Sequence, residues 1–256
     1  FESEKQMVWN DFSNKESAQY WSAVGYYFAK ELSERLGITV GIIGCNWGGS
    51  SASAWMKREY ADGETAVYFE DYDSATAGKS EQQLKQDYLD YQAYHNEWER
   101  KSAEYYSNTL NPTWDGCLAY CGENKYPGPA SPLNPMSPGV LHKSMIERIA
   151  PYTMTGVIWY QGESDDHRPG MYYKLLSQMI RNWRDDWNDD ELFFVIGQLP
   201  MHRWEADPDF KNWCTIREAQ AKTARTTAGT ALAVLTDCGE FSEIHPKDKK
   251  TPAHRF

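Results

Sequence analysis

The sequence predicts an α/β fold built on a parallel sheet, and three observations carry that expectation. Four short apolar stretches lack the alternation of half-exposed antiparallel strands, helical patterns lie between them, and 256 residues suffice for one large domain with its own core. The stretches are Ile38 to Gly44, Gly156 to Tyr160, Leu192 to Leu199 and Ala231 to Asp237, each bounded by Gly, Pro or polar residues. Glu16 to Leu36 sets Trp21, Val24, Phe28, Leu32 and Leu36 at helical spacing, and Gly37 follows as a stop signal. Met171 to Trp187 and Cys214 to Thr223 read as helices in the same way. Such alternation gives a layered fold with right-handed crossovers.

Residues 60–137 interrupt the rhythm and read as an insertion on the sheet's edge or rim, within a single domain spanning 1–256. Leu84, Tyr88, Tyr91, Trp98 and Tyr105 keep helix spacing there, a stripe that reads as packing rather than as a ligand platform. Asn111 to Pro138 is rich in Pro, Gly and Asn and reads as a long loop.

Composition narrows the partners. Twenty-six basic against 37 acidic residues give a net charge of −11 and a pI near 5.0, which repels polyphosphate and anionic lipid. Nucleic acid and membrane surfaces are therefore not expected partners, and no apolar run approaches the roughly 20 residues that span a bilayer. Aromatic residues make up 14% of the chain while mean hydropathy is −0.74, a pairing often met in sugar-handling proteins. The cysteines (Cys45, Cys117, Cys121, Cys214, Cys238) are odd in number, and only Cys117 and Cys121 are close, without a second ligand pair for zinc. A disulfide framework is not expected.

Three strand ends carry candidate chemistry. After Ile38 to Gly44 comes Cys45-Asn46-Trp47-Gly48-Gly49-Ser50-Ser51, a loop whose glycines let backbone N–H groups approach an anion; it reads equally as a tight turn with Ser50 or Ser51 capping a helix. Its glycine spacing is neither a dinucleotide nor a P-loop fingerprint. After Gly156 to Tyr160, Gln161 is placed to donate to a developing oxyanion and Glu163 to orient a histidine. Asp165, Asp166 and His167 invite a metal, but three adjacent loop residues do not converge easily on one ion, so the run reads as a solvated helix cap. The third loop presents His245 beside Glu240 and Glu243, a general-base candidate because it lies at the third strand end on the same face. His95, His202 and His254 read as packing or surface residues.

These motifs resemble the sialate O-acetylesterase family. The resemblance rests on Gly25-Tyr26-Tyr27-Phe28-Ala29-Lys30-Glu31-Leu32, Val40 to Gly44, Trp47 to Ser50 and Ala54-Trp55-Met56, and on Trp159-Tyr160-Gln161-Gly162-Glu163-Ser164. Ile196 to Pro200, Trp213, Arg217-Glu218-Ala219-Gln220 and Glu243-Ile244-His245-Pro246-Lys247 then follow in the family's order. It covers about residues 17–58 and 138–250, and residues 60–137 contribute nothing to it. The family belongs to the SGNH-hydrolase superfamily, so the resemblance implies a flavodoxin-like three-layer α/β/α parallel sheet. It also implies a carbohydrate O-acetylesterase that removes acetyl esters from sialic acid or a related glycan by serine-type acyl transfer, without metal or organic cofactor. Acetylated xylan is the rival substrate, and a non-catalytic carbohydrate-binding subunit of the same fold is the alternative from another class.

By that resemblance His245 is the general base, Gly49 supplies an oxyanion N–H and Gln161 is the polar group beside it; Trp47, Trp55 and Tyr160 lie near the expected site and are placed to stack on a sugar ring, though Trp55 reads equally as core. Two carboxylates compete to orient His245: Glu163, by the resemblance, and Glu243, by proximity. The family carries Asp where Glu243 stands, and the superfamily's commoner acid position is Ser242. The family's nucleophile is a Ser in a Gly-Gln-Ser-Asn segment after the first strand, and no such segment occurs in this sequence. The expectation is that the first strand is missing from this chain, that an N-terminal segment or companion chain brings the nucleophile, and that the 256 residues alone are inactive. Pro246 to Phe256 reads as the start of a final helix. A secreted, periplasmic or lysosome-like location is implied, with the leader outside this chain.

Overall fold

The computed structural model describes residues 9–12, 18, 21–203, 207 and 211–256. In chain order its principal elements are α1 (Ala23–Leu36), α2 (Val67–Thr76), α3 (Glu81–Asn108), α4 (Trp114–Cys121), β1 (Gly156–Trp159), α5 (Tyr172–Trp187), β2 (Phe193–Gly197), α6 (Lys211–Thr226), β3 (Thr230–Ala233) and α7 (Lys250–Arg255). The Ser22 hydroxyl starts α1 by accepting the Gly25 N–H at 3.2 Å. Of the earlier start expected at Glu16, residues 16–17 and 19–20 lie outside the described residues, while Trp21 and Ser22 are described and precede the helix, so Trp21 is not part of it.

The three strands form one parallel sheet in the order β1-β2-β3, with Gly156 opposite Phe193 and Phe194 opposite Thr230. Both faces are covered, as an all-parallel sheet requires. Trp159, Phe194 and Ile196 pack with Leu176, Met179 and Trp183 of α5 and with Ile216 of α6 in the main core. On the opposite face Val195, Tyr160 and Phe256 pack around Ala233 and Leu235. Gly197 admits the Phe256 ring, since a Cβ there would lie 2.6 Å from it, and α7 packs on α1. Trp55 is 3% exposed, and its carbonyl accepts the Trp183 indole N–H at 2.7 Å, so it is core rather than a sugar platform.

Two expectations are corrected. Ile38 to Gly44 joins no sheet, and the backbone of Thr39 to Cys45 makes no hydrogen bond among the described residues. An apolar run becomes a strand only beside another strand, and no described segment takes that place. Instead, Thr39 to Gly44 line a groove of about 1070 Å3, closed by Phe12, Trp21, Tyr26, Ile149 and Tyr152. Within the supposed long loop, Trp114–Cys121 is helical. The Thr113 hydroxyl caps it on the Gly116 N–H at 3.1 Å, and Cys117 and Cys121 bury against Trp98 of α3. The rest of the 60–137 segment is anchored through Tyr68 and Phe69 of α2, which join the main core.

Candidate active site

Because the strands are parallel, the loops that follow them emerge at one end of the sheet, where ligands of such folds bind. The loop after β1 is pinned from three sides. Gly162 adopts φ +151°, and a Cβ there would meet Ile216 at 2.9 Å, so α6 packs directly on the turn. Gln220 of α6, fully buried, donates to the Gln161 carbonyl at 2.9 Å and accepts the Leu199 N–H at 2.9 Å, which joins the loops after β1 and β2. The Tyr172 hydroxyl, buried in the core, lies 2.9 Å from the same carbonyl and 3.0 Å from Gln161 Oε1.

Asp165 is the hub of this turn. Fully buried, it accepts the Ser51 hydroxyl at 2.6 Å on one oxygen, and the Ala52 N–H at 2.9 Å and the Gln161 amide at 2.7 Å on the other. Burial pushes its carboxyl above the usual range, and those three donors pull it part of the way back. The expected solvated cap is therefore corrected at Asp165: a carboxylate supplied with four donors, the Tyr68 hydroxyl at 3.4 Å being the fourth, is held inside the protein. The exposed His167 ring sits 2.9 Å from the Ser164 carbonyl. Among the described residues no group of three or more His, Cys, Asp or Glu side chains is arranged to hold a metal.

Gln161 donates to the Ser50 carbonyl at 3.0 Å as well as to Asp165. Both amide hydrogens are thus committed, so Gln161 braces the neighbouring loop and presents no free donor to an oxyanion, contrary to its expected role. That neighbouring loop is Trp47 to Ser51. The buried Ser50 hydroxyl donates to the Trp47 carbonyl at 2.7 Å and accepts the Trp55 indole N–H at 2.9 Å, while Ser51 caps the turn beginning at Ala52. Gly49 lies between them at φ +76°. Its N–H makes no hydrogen bond among the described residues, whereas its carbonyl accepts the Tyr126 hydroxyl at 3.2 Å. Trp47 is 41% exposed. Tyr160, half-buried, packs on Phe256 at 6.0 Å between ring centres, facing the core more than solvent.

His245 stands on the loop after β3. That loop is tied to the one after β2 by the Met201 N–H on the Thr236 carbonyl (3.1 Å) and the Arg203 N–H on the Phe241 carbonyl (2.9 Å). Its ring is 86% exposed, with Nδ1 3.5 Å from Glu243 Oε1, an oxygen that also accepts the His245 N–H at 2.9 Å. That amide holds the Glu243 carboxyl below its usual range. Glu163 is half-buried; burial pushes its carboxyl up, while the charge of nearby His245 pulls the other way. Both candidate acids therefore lie within the electrostatic reach of His245, Glu243 in near contact and Glu163 through space. His202 packs on Trp213 at 5.2 Å, His95 stacks in α3, and His254 contacts Glu31 at 2.6 Å. Reasoning from sequence missed Asp165, Gln220 and Tyr126; only Asp165 left a signal, its place four residues beyond Gln161 on one turn.

A parallel sheet with a glycine loop and an acid–histidine pair at its carboxyl end is an arrangement that α/β ester hydrolases also use. Residues 133–242 match the family model for carbohydrate esterase, sialic acid-specific acetylesterase. The chain is 24% identical over 262 residues to a sialate O-acetylesterase of Mus musculus, covering 93% of this chain and 41% of that protein. A Homo sapiens sialate O-acetylesterase is 23% identical over 261 residues, covering 93% and 38%. Among solved structures, a carbohydrate acetylesterase from Xanthomonas citri is similar at a TM-score of 0.62 and 26% identity, over 93% of this chain and 40% of that one. Over residues 133–242 the chain is thus similar to the sialic acid-specific acetylesterases among the carbohydrate esterases. It spans about two-fifths of the length of the curated relatives it matches.

Proposed function

We propose that these residues form most of a carbohydrate O-acetylesterase site that acts on acetylated sialic acid or a related glycan by serine-type acyl transfer. One observation carries the reading: the turn Gln161 to Asp165 after β1 is hydrogen-bonded to the loop that holds Gly49, through Gln161 to the Ser50 carbonyl and through the Ser51 hydroxyl to Asp165, at the end of the sheet where the loop after β3 presents His245. In this mechanism His245 takes the proton of a serine hydroxyl as that oxygen attacks the acetyl carbonyl. The Gly49 N–H stabilises the resulting oxyanion. Collapse expels the sugar oxygen, which receives the proton from His245. Water, activated by the same histidine, then releases acetate and frees the serine.

The serine comes from a segment outside these 256 residues. The groove beside Thr39 to Cys45 supports this part of the proposal, since its floor offers a row of backbone N–H and C=O groups without hydrogen bonds among the described residues. An apolar strand laid there would satisfy them. Hydrolysis of 4-nitrophenyl acetate tests the reading: a product that includes the serine segment is active, the 256 residues alone are not, and His245→Ala in the longer product lowers the rate by about three orders of magnitude or more. Equal rates for the longer product and its His245→Ala variant would overturn the mechanism and favour a sugar-binding subunit. Release of acetate from O-acetylated sialic acid against acetylated xylan separates the two substrates.

A further inference from the structure

We infer that Tyr126, supplied by the 60–137 segment, forms with Trp47 an aromatic subsite for the pyranose ring of the substrate, over the Gly49 amide. The inference rests on the esterase reading and gives that segment a part in recognition. Trp47 and Tyr126 are 41% and 49% exposed, and they flank Gly49, one by sequence and the other through its hydroxyl on the Gly49 carbonyl. Large aromatic rings left half in water beside a backbone N–H that makes no hydrogen bond among the described residues offer what a sugar ring recognises: a flat apolar face for its C–H groups and a donor for an oxygen.

The Tyr126 ring is held in place. Its hydroxyl also lies 3.4 Å from the Met136 sulfur. Behind it, 6.5 Å away, is His95, which stacks at 16° on Tyr91 and at 5° on Trp98. The aromatic stripe of α3 is therefore packing, as its spacing predicts, and what it supports is the platform. A prepositioned ring loses little entropy when a ligand stacks on it. Contact with Gly49 is close enough to constrain that position: a Cβ there would lie 2.0 Å from the Tyr126 oxygen.

Binding without turnover tests the assignment, using N-acetylneuraminic acid and xylobiose as probes and saturation-transfer NMR on the 256-residue protein. Tyr126→Ala should weaken binding of the preferred sugar about two- to tenfold. Tyr126→Phe, which keeps the ring, should stay within about twofold of wild type, as should Tyr120→Ala, which removes a comparably exposed ring elsewhere on the same segment. Thermal melts confirm that each variant folds. Unchanged binding by Tyr126→Ala, or equal losses from Tyr126→Ala and Tyr120→Ala, would overturn the subsite and leave the esterase reading standing. Failure of the wild type to bind either sugar would also overturn it, while acetyl ester hydrolysis by the longer product decides the esterase reading separately.

Discussion

Asp165 shows how one buried carboxylate organises a site it does not itself touch. Four donors converge on its two oxygens, and an amide in its place keeps one acceptor while turning N–H groups toward donors. Asp165→Asn should therefore cost about 1–3 kcal/mol in urea unfolding, with m unchanged. Gly49 bears a double constraint, from its positive φ and from the Tyr126 hydroxyl. Gly49→Ala should lower turnover of the serine-containing product by about a hundredfold, because the N–H moves with the strained peptide. The two acids at His245 differ in setting, one half-buried and one at the surface. If Glu163 orients the ring, Glu163→Gln should lower kcat by about 10^4-fold and Glu243→Gln by far less; the reverse order assigns the role to Glu243.

Among the elements, α7 is fastened by a paired contact: both Arg255 nitrogens bond the Asp237 carboxylate, Nη2 to Oδ2 at 2.8 Å, and Nη1 also bonds the Val234 carbonyl at the same length. Arg255 draws the Asp237 carboxyl down to about 2. An acid whose folded pKa lies below its unfolded value of about 3.9 stabilises fully above that value, and the benefit disappears as pH falls through the folded pKa. Thermal melts should therefore show Asp237→Asn less stable than wild type at pH 5, with the gap closing as pH falls from about 4 to about 2. The elements themselves were legible to differing degrees. β1, β2, β3, α5 and α6 lie within a few residues of their predicted places because their apolar runs are local signals of burial. Trp114–Cys121 was hidden by the Gly, Pro and Asn around it, although Thr113 is a good cap. The strand expected at Ile38 failed because pairing is non-local, so no pattern within seven residues records whether a neighbour exists. Tyr126 was illegible for the same reason: 77 residues separate it from Gly49.

At the scale of the whole molecule, the parallel sheet explains why the loops after β1, β2 and β3 gather at one end, since each crossover leads to the adjacent strand in the same direction and delivers its loop to the same rim, while the Gly49 loop reaches that rim through its bonds to Gln161 and Asp165. The groove follows from the same architecture. A strand-forming segment that carries the serine should raise the melting temperature when added to or fused with the 256 residues, measured by calorimetry against a fusion with two apolar residues of that segment changed to Asp. The run from Thr39 to Cys45 has a second consequence, for solubility. A row of peptide groups that make no hydrogen bond among the described residues, flanked by Trp21 and Ile149, is a template for any passing strand, including one from another copy. The charge of −11 opposes such encounters at low ionic strength. Added salt screens that repulsion, so light scattering from the isolated chain should rise with salt before any loss of helical signal.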